Sequence, residues 1–457
     1  MLEAVNVSAE VVAAILGISI TVVAIIVQLA ATRYNHHITE MFVREPINVV
    51  VQAFFVLTTV LCIWVAALGE AATTATWNAI TLLTVTMALA ALLPYFAYVF
   101  AFISPVGIIR RIGRKAEKAV AAGNRYQTLR SIDQLQDVAR SAVEHVDQTL
   151  AMAAVDALSD LYRHYRNMRD RLPEDWSRID AIVREDPDFV SLEPGALEDL
   201  DASGLWVEAK IILQYLSIIR LSVTKMHDVA GRVGFVLRQM GLENVDDPVA
   251  LDASFRGLNS LLRVSLNARD PRTSLHLLSQ YKALAEDLIS MGRDDEGLAA
   301  AEHIQGYGQL AFTMNQPFIL ELTAFDLGEL ICVAHKSQSA ALDPMLDGFL
   351  ELDHEIKYES QEASLLGVRR AQMQVGAYLI GRGDLARAQR VADDLRGEGA
   401  ARLDRLQAAL LGEDRALYWE FTPRGGNFAY LEPGLRPHLN TLMDMVRDEP
   451  RRAAPTP

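Results

Sequence analysis

Apolar and polar positions divide this chain into two regimes. Within the first 118 residues, the stretches 11–31, 49–68 and 79–103 run without Asp, Glu, Lys, Arg or His. As helices rising ~1.5 Å per residue, each is roughly 30 Å long, the thickness of a bilayer's hydrocarbon core. After Lys118 the pattern changes to narrow stripes. Leu129, Ile132, Leu135, Val138, Ala142, Val146 and Leu150 recur at three- and four-residue spacing, which predicts an amphipathic helix over 126–157. A further helix over 158–172 is expected to stop at Pro173, and residues 205–240 read as one long helix or a pair. A last helix is expected over 435–446. Two-residue alternation bounded by hairpin turns is missing, so almost no sheet is expected. The predicted class is all-α: a three-helix transmembrane bundle followed by an all-α cytosolic domain.

Breakers set the expected domain limits. Residues 1–118 form the transmembrane unit, and 119–204 a first helical segment with its linker. The linker is placed at 173–204, which holds Pro173, Pro187, Pro194, Gly195 and Gly204 among many acids. Residues 205–447 form a repeat-like helical domain, and 448–457 a disordered tail. Within 205–447 two segments share one shape. Residues 281–304 and 373–395 each read as a helix, a Gly-Arg-Asp or Gly-Asp turn and an Ala-rich second helix, which resembles a tetratricopeptide-type hairpin.

Charge orients the membrane unit. The connection between the first two spans carries Arg33 and Arg44, and the one between the second and third has no Lys or Arg. The segment after the third carries Arg110, Arg111, Arg114, Lys115 and Lys118. The positive-inside rule puts the N-terminus outside and both basic segments in the cytoplasm. The N-terminus has no Lys or Arg before a long apolar run, so a retained first helix is expected rather than a cleaved signal. Residues 34–46 read as an amphipathic piece at the interface. Residues 1–118 hold six acidic and seven basic residues, so against a chain total of −15 the residues 119–457 carry a net −16. An acidic body excludes nucleic acid as the expected partner. Cys62 and Cys332 lie in unrelated apolar settings and are not expected to pair.

Candidate chemistry is sparse. The spans hold no ionisable residue, which argues against ion-coupled transport. Thr81 and Thr84 share a helical face and are candidate pore-lining residues in an oligomer, with Pro94 as a kink or gate in the same helix. The competing reading has these threonines bonding their own backbone. His36 and His37 are a candidate pH-sensing pair at the membrane face, or simply polar anchors. In Arg269-Asp-Pro-Arg-Thr-Ser274, Asp270 suits a helix N-cap with Pro271 at the first helical position. Arg269, Asp270 and Arg272 are also a candidate subunit or anion contact. Glu351-x-x-His354 has a di-iron spacing without the second half such a site needs. Phosphate-loop, dinucleotide, zinc and nucleophile-elbow motifs are missing. Neither cofactor nor catalysis is expected.

Residues 18–34, with the Gln28-Leu-Ala-Ala-Thr-Arg33 exit, then Phe42-Val-Arg-Glu-Pro46 and a second span, resemble the bacterial membrane-protein family called domain of unknown function 2254. The Arg269–Ser274 stretch is similar to that family's Asn-Asp-Pro-x-Thr-Ala turn. The likeness lies mainly in residues 15–118. It implies a bacterial inner-membrane location and carries over no site residue. The expected role is a homo-oligomeric scaffold or sensor, in contact with membrane lipids and a cytosolic protein partner. The alternative is an oligomeric ion channel lined by the third span and gated by the body.

Overall fold

The computed structural model describes residues 2–33, 45–68, 74–352, 362–418 and 425–448. Helix accounts for 83% of the chain and no strand forms among the described residues, so the class is all-α. The chain divides into two compact units, Met1–Ile218 and Ile219–Pro457. The division falls within a helix, where the sequence alone puts the start of the repeat-like domain at residue 205.

The first unit opens with α1 (Leu2–Arg33), α2 (Pro46–Leu68) and α3 (Ala75–Ile103), each packed on the other two. Val12, Cys62 and Val85 form one apolar cluster between them; Val23, Val27, Tyr95 and Val99 form another. The outward positions are also apolar, with Leu93 77%, Leu57 67% and Trp64 66% exposed. Two helices are long and apolar enough to cross a bilayer, Pro46–Leu68 and Ala75–Ala101; the apolar part of α1, Glu10–Ile25, is shorter. One polar node sits inside the three-helix packing. Buried Asn48 accepts at Oδ1 from the Tyr95 hydroxyl (2.5 Å) and from Gln52 Nε2 (3.1 Å). The helix α3 continues through Pro94 and stops at Ser104, whose ψ of 126° turns the chain into the next helix.

That helix, α4 (Pro105–Ala121), buries Ile108, Ile109, Ile112, Ala116 and Val120 against α5 (Arg125–Glu144) and α6 (Gln148–Met168). Its Arg110, Arg114, Lys115 and Lys118 remain exposed. The single helix expected over 126–157 is two helices. Val146 takes a left-handed φ of 57° and Asp147 caps α6 through Leu150 N at 3.1 Å. A His-Val-Asp break has neither Gly nor Pro, so apolar periodicity runs straight across it.

The stretch expected to be a linker, 173–204, is folded onto this bundle. It forms short helices, α7 (Ala181–Arg184), α8 (Pro187–Val190) and α9 (Pro194–Ser203), and buries Trp176, Val183 and Phe189. Next comes α10 (Trp206–Ser222). The Trp176 ring packs, tilted, between those of Tyr165 (5.5 Å) and Trp206 (4.8 Å), and Trp206 Nε1 donates to the Trp176 carbonyl at 3.0 Å. An ion cluster completes the attachment. Lys210 on α10 is 1% exposed, and its ammonium lies 2.7 Å from Asp133 and Asp186 and 2.6 Å from Asp188. Burial alone would depress the Lys210 pKa, but the carboxylates hold it above its ordinary value.

The second unit is a two-layer stack. Its helices are α11 (His227–Glu243), α12 (Pro248–Asn267), α13 (Pro271–Ser290), α14 (Asp294–Thr313), α15 (Pro317–Ser337), α16 (Leu342–Leu350), α17 (Glu362–Gly381), α18 (Leu385–Leu395), α19 (Ala400–Gly412) and α20 (Arg436–Arg447). One layer stacks α11, α13, α15, α17 and α20 in that order, and α12, α14 and α16 pack along the other side. Asp247, Asp270 and Asp384 cap the helices that follow them. Gly308 allows close approach of α14 and α15: a Cβ there would stand 2.8 Å from Thr323 Cβ.

Two expectations follow. Lys210→Met leaves three carboxylates around a buried site without their cation, and breaking such a pair costs about 3–5 kcal/mol. The chain should melt several degrees lower, seen by circular dichroism, and Lys210→Arg should recover part of the loss. Asn48→Leu removes the acceptor of the Tyr95 hydroxyl in an apolar setting, at a cost of about 1–3 kcal/mol. Unfolding in detergent should show it, while Thr86→Val, whose hydroxyl bonds only its own helix, should change little.

Candidate functional site

The second unit holds an open groove of about 900 Å³. Its walls come from one layer of the stack. Helix α13 presents Lys282 and Glu286, α15 presents Phe325, Glu329, Cys332 and Lys336, and α17 presents Gln374, Tyr378 and Arg382. These positions recur at three, four and seven residues, so each helix turns one mixed stripe toward the groove while its apolar stripe stays in the stack.

The remaining wall is the chain's own C-terminal part. Tyr418 N donates to Gly425 O (3.1 Å) and Asn427 N to Ala416 O (3.0 Å), a short antiparallel pairing that leads residues 426–435 along the groove. Gln374 reads this segment through its main chain: Nε2 donates to the carbonyls of Phe428 (2.8 Å) and Tyr430 (3.4 Å). The Phe428 ring stacks on Phe325 at 5.0 Å with an interplanar angle of 21°. Leu431 is fully buried, and α20, packed on α17, holds the far end. A main-chain contact plus two apolar anchors holds this segment, which turns at Asn427–Tyr430, against the helices.

Several of the groove's ionisable groups are paired or buried. Lys282 makes ion pairs with Glu329 and, at 3.4 Å, with Glu286, which keep its ammonium above the ordinary lysine range despite burial. The Tyr378 hydroxyl donates to Cys332 O at 3.3 Å, and Arg382 lies 5.4 Å from the Tyr378 ring centre. Burial pushes the Cys332 thiol up to about 12, so almost no thiolate forms at neutral pH. Among the described residues no group of three or more His, Cys, Asp and Glu is placed to hold a metal ion.

The residues singled out from sequence lie elsewhere. Asp270 is buried at the start of α13, accepting from Arg272 N (3.1 Å), Thr273 Oγ1 (2.7 Å) and His227 Nδ1 (2.9 Å). It is a helix cap, and Arg269 and Arg272 are exposed beside it. Thr81 is 0% exposed and donates to Trp77 O (2.9 Å); Thr84 donates to Thr81 O (2.8 Å). Pro94 is exposed on α3. His36, His37 and His354 lie outside the described residues. Gln374, Phe325 and Phe428 were not foreseen. The Ala-rich turn after residue 380 marks the hairpin, but nothing local says that a segment about fifty residues further on returns to it. No family model, curated protein or solved structure matches this chain.

Gln374→Leu keeps the side chain's bulk and removes the donor to two carbonyls. Losing these bonds costs about 1–3 kcal/mol. Hydrogen exchange of the Tyr430 amide should speed up, while amides in the middle of α20 keep their protection.

Proposed function

We propose that this protein is a bacterial inner-membrane scaffold or sensor without catalytic activity, which holds a segment of a cytosolic partner in the groove of its second unit. On this reading α1, α2 and α3 are three membrane spans related to domain of unknown function 2254, and the stack is of tetratricopeptide type. The carrying observation is the Gln374 amide bonded to the main-chain carbonyls of Phe428 and Tyr430 beside the Phe325–Phe428 stack. The membrane part is supported by two helices of sufficient length and by apolar side chains on their outward faces. Orientation rests on the exposed basic side of α4 against the Lys- and Arg-free connection between α2 and α3. A homo-oligomer fits this role by bringing several grooves together at the membrane. The channel alternative has less behind it, because the Thr81 and Thr84 hydroxyls are spent on their own helix.

Cysteine labelling and particle mass test this reading. With a membrane-impermeant maleimide, Thr74→Cys should react in intact spheroplasts and Lys115→Cys only after permeabilisation. Labelling of Lys115→Cys from outside would overturn the orientation. In nanodiscs the protein should form a discrete oligomer that leaks no potassium from vesicles; steady potassium flux would favour the channel.

A further inference from the structure

Helix α4 has two faces of opposite chemistry. Ile108, Ile109, Ile112, Ala116, Ala119 and Val120 are buried on the side that packs on α5 and α6. Wound on the same helix, Arg110, Arg111, Arg114, Lys115 and Lys118 fall within an arc of about 140° on the other side. Glu117, at the edge of that arc, is the one acidic residue of α4. Five bases on one helix face stand out in a chain whose residues 119–457 carry a net −16. Arg110, Arg114, Lys115 and Lys118 are exposed, and none makes an ion pair with a described residue.

Arg111 fixes which way the arc points. It lies within the arc, is half-buried, and interacts with Glu45 just before α2 and with Tyr98 near the end of α3. Those two groups hydrogen-bond each other. Pro105 follows directly on Ser104, where α3 stops, so α4 starts at the same end of the three-helix packing. The basic arc is thus turned toward the ends of the apolar helices, and the apolar stripe toward the soluble ones.

We propose that the basic arc of α4 is a docking surface for anionic phospholipid headgroups of the phosphatidylglycerol type. Clusters of four or more Lys and Arg at the cytoplasmic end of a span attract acidic lipid by charge. A guanidinium donates to two oxygens of one phosphate, and Arg110 and Arg114 stand one helical turn apart. Lys115 and Lys118 add point charges that follow a mobile headgroup. Lipid on one face of α4 and packed side chains on the other hold the soluble helices of the first unit at a set depth below the bilayer. This inference rests on the membrane reading given above and is independent of the groove.

The probe is phosphatidylglycerol with a fluorescent acyl chain, titrated into full-length protein in uncharged detergent micelles. Phosphatidylcholine with the same chains is the reference. Wild type should bind phosphatidylglycerol about tenfold or more tighter, and the margin should shrink as salt rises. Arg114→Gln with Lys118→Gln should remove most of the margin and leave the melting curve unchanged. Arg114→Lys with Lys118→Arg, which conserves charge, should keep it. So should Arg256→Gln with Arg405→Gln, which takes the same charge from exposed positions of the second unit. Glycerol phosphate at the lipid's concentration should not compete. Equal binding of the two lipids would overturn the lipid surface and leave the spans standing, as would a preference that survives Arg114→Gln with Lys118→Gln. Competition by glycerol phosphate would make the arc a site for free phosphate, and binding of polyglutamate without lipid preference a site for acidic protein; either overturns the proposal. A chain that stays soluble and monodisperse without detergent would overturn the membrane reading itself.

Discussion

Most of the packing among the described residues comes from one helix lying along another. The backbone's hydrogen bonds are spent inside the helices, so side-chain stripes carry the recognition between distant parts. In the first three helices this is also what a bilayer would demand, because hydrocarbon offers no partner to an exposed amide. In the second unit it makes stacking repetitive. Each helix gives one stripe to its neighbours and has another to spare, and in α13, α15 and α17 the spare stripes lie side by side.

Two places depart from pure stripe packing, and both secure a segment that is not a long helix. At Lys210 three carboxylates from α5 and the 186–188 turn converge on one ammonium and hold the short helices to the bundle. The desolvation of that charge is offset only while all partners are in place. At Gln374 a neutral amide does the equivalent task for the 426–431 segment. The two attachments differ in strength and in exposure. The first is a buried charge cluster; the second combines neutral hydrogen bonds with a half-buried ring and the buried Leu431.

On the proposed reading the groove binds a partner rather than making or breaking bonds. Burial raises the pKa of its Cys332 thiol, and Lys282 is tied to Glu286 and Glu329. A scaffold whose grooves face the cytosol beneath the membrane would raise the local concentration of whatever it holds.

The all-helical class was legible from the sequence because three-to-four spacing can be served only by a helix, and the apolar runs were legible because their length exceeds any stripe. The Asp270 cap could be read as well, since Asp-Pro before an apolar pattern acts within one turn. What periodicity could not convey is which partner each stripe meets. A stripe's direction is defined about its own axis only. The folding-back of 173–204 depends on Trp176 finding Tyr165 and Trp206, and on Asp133 and Lys210 meeting across distant sequence. The groove likewise required α13, α15 and α17 to stack in order and residues 426–435 to return across them. Those are pairings between distant parts of the chain, and only the tertiary packing decided them.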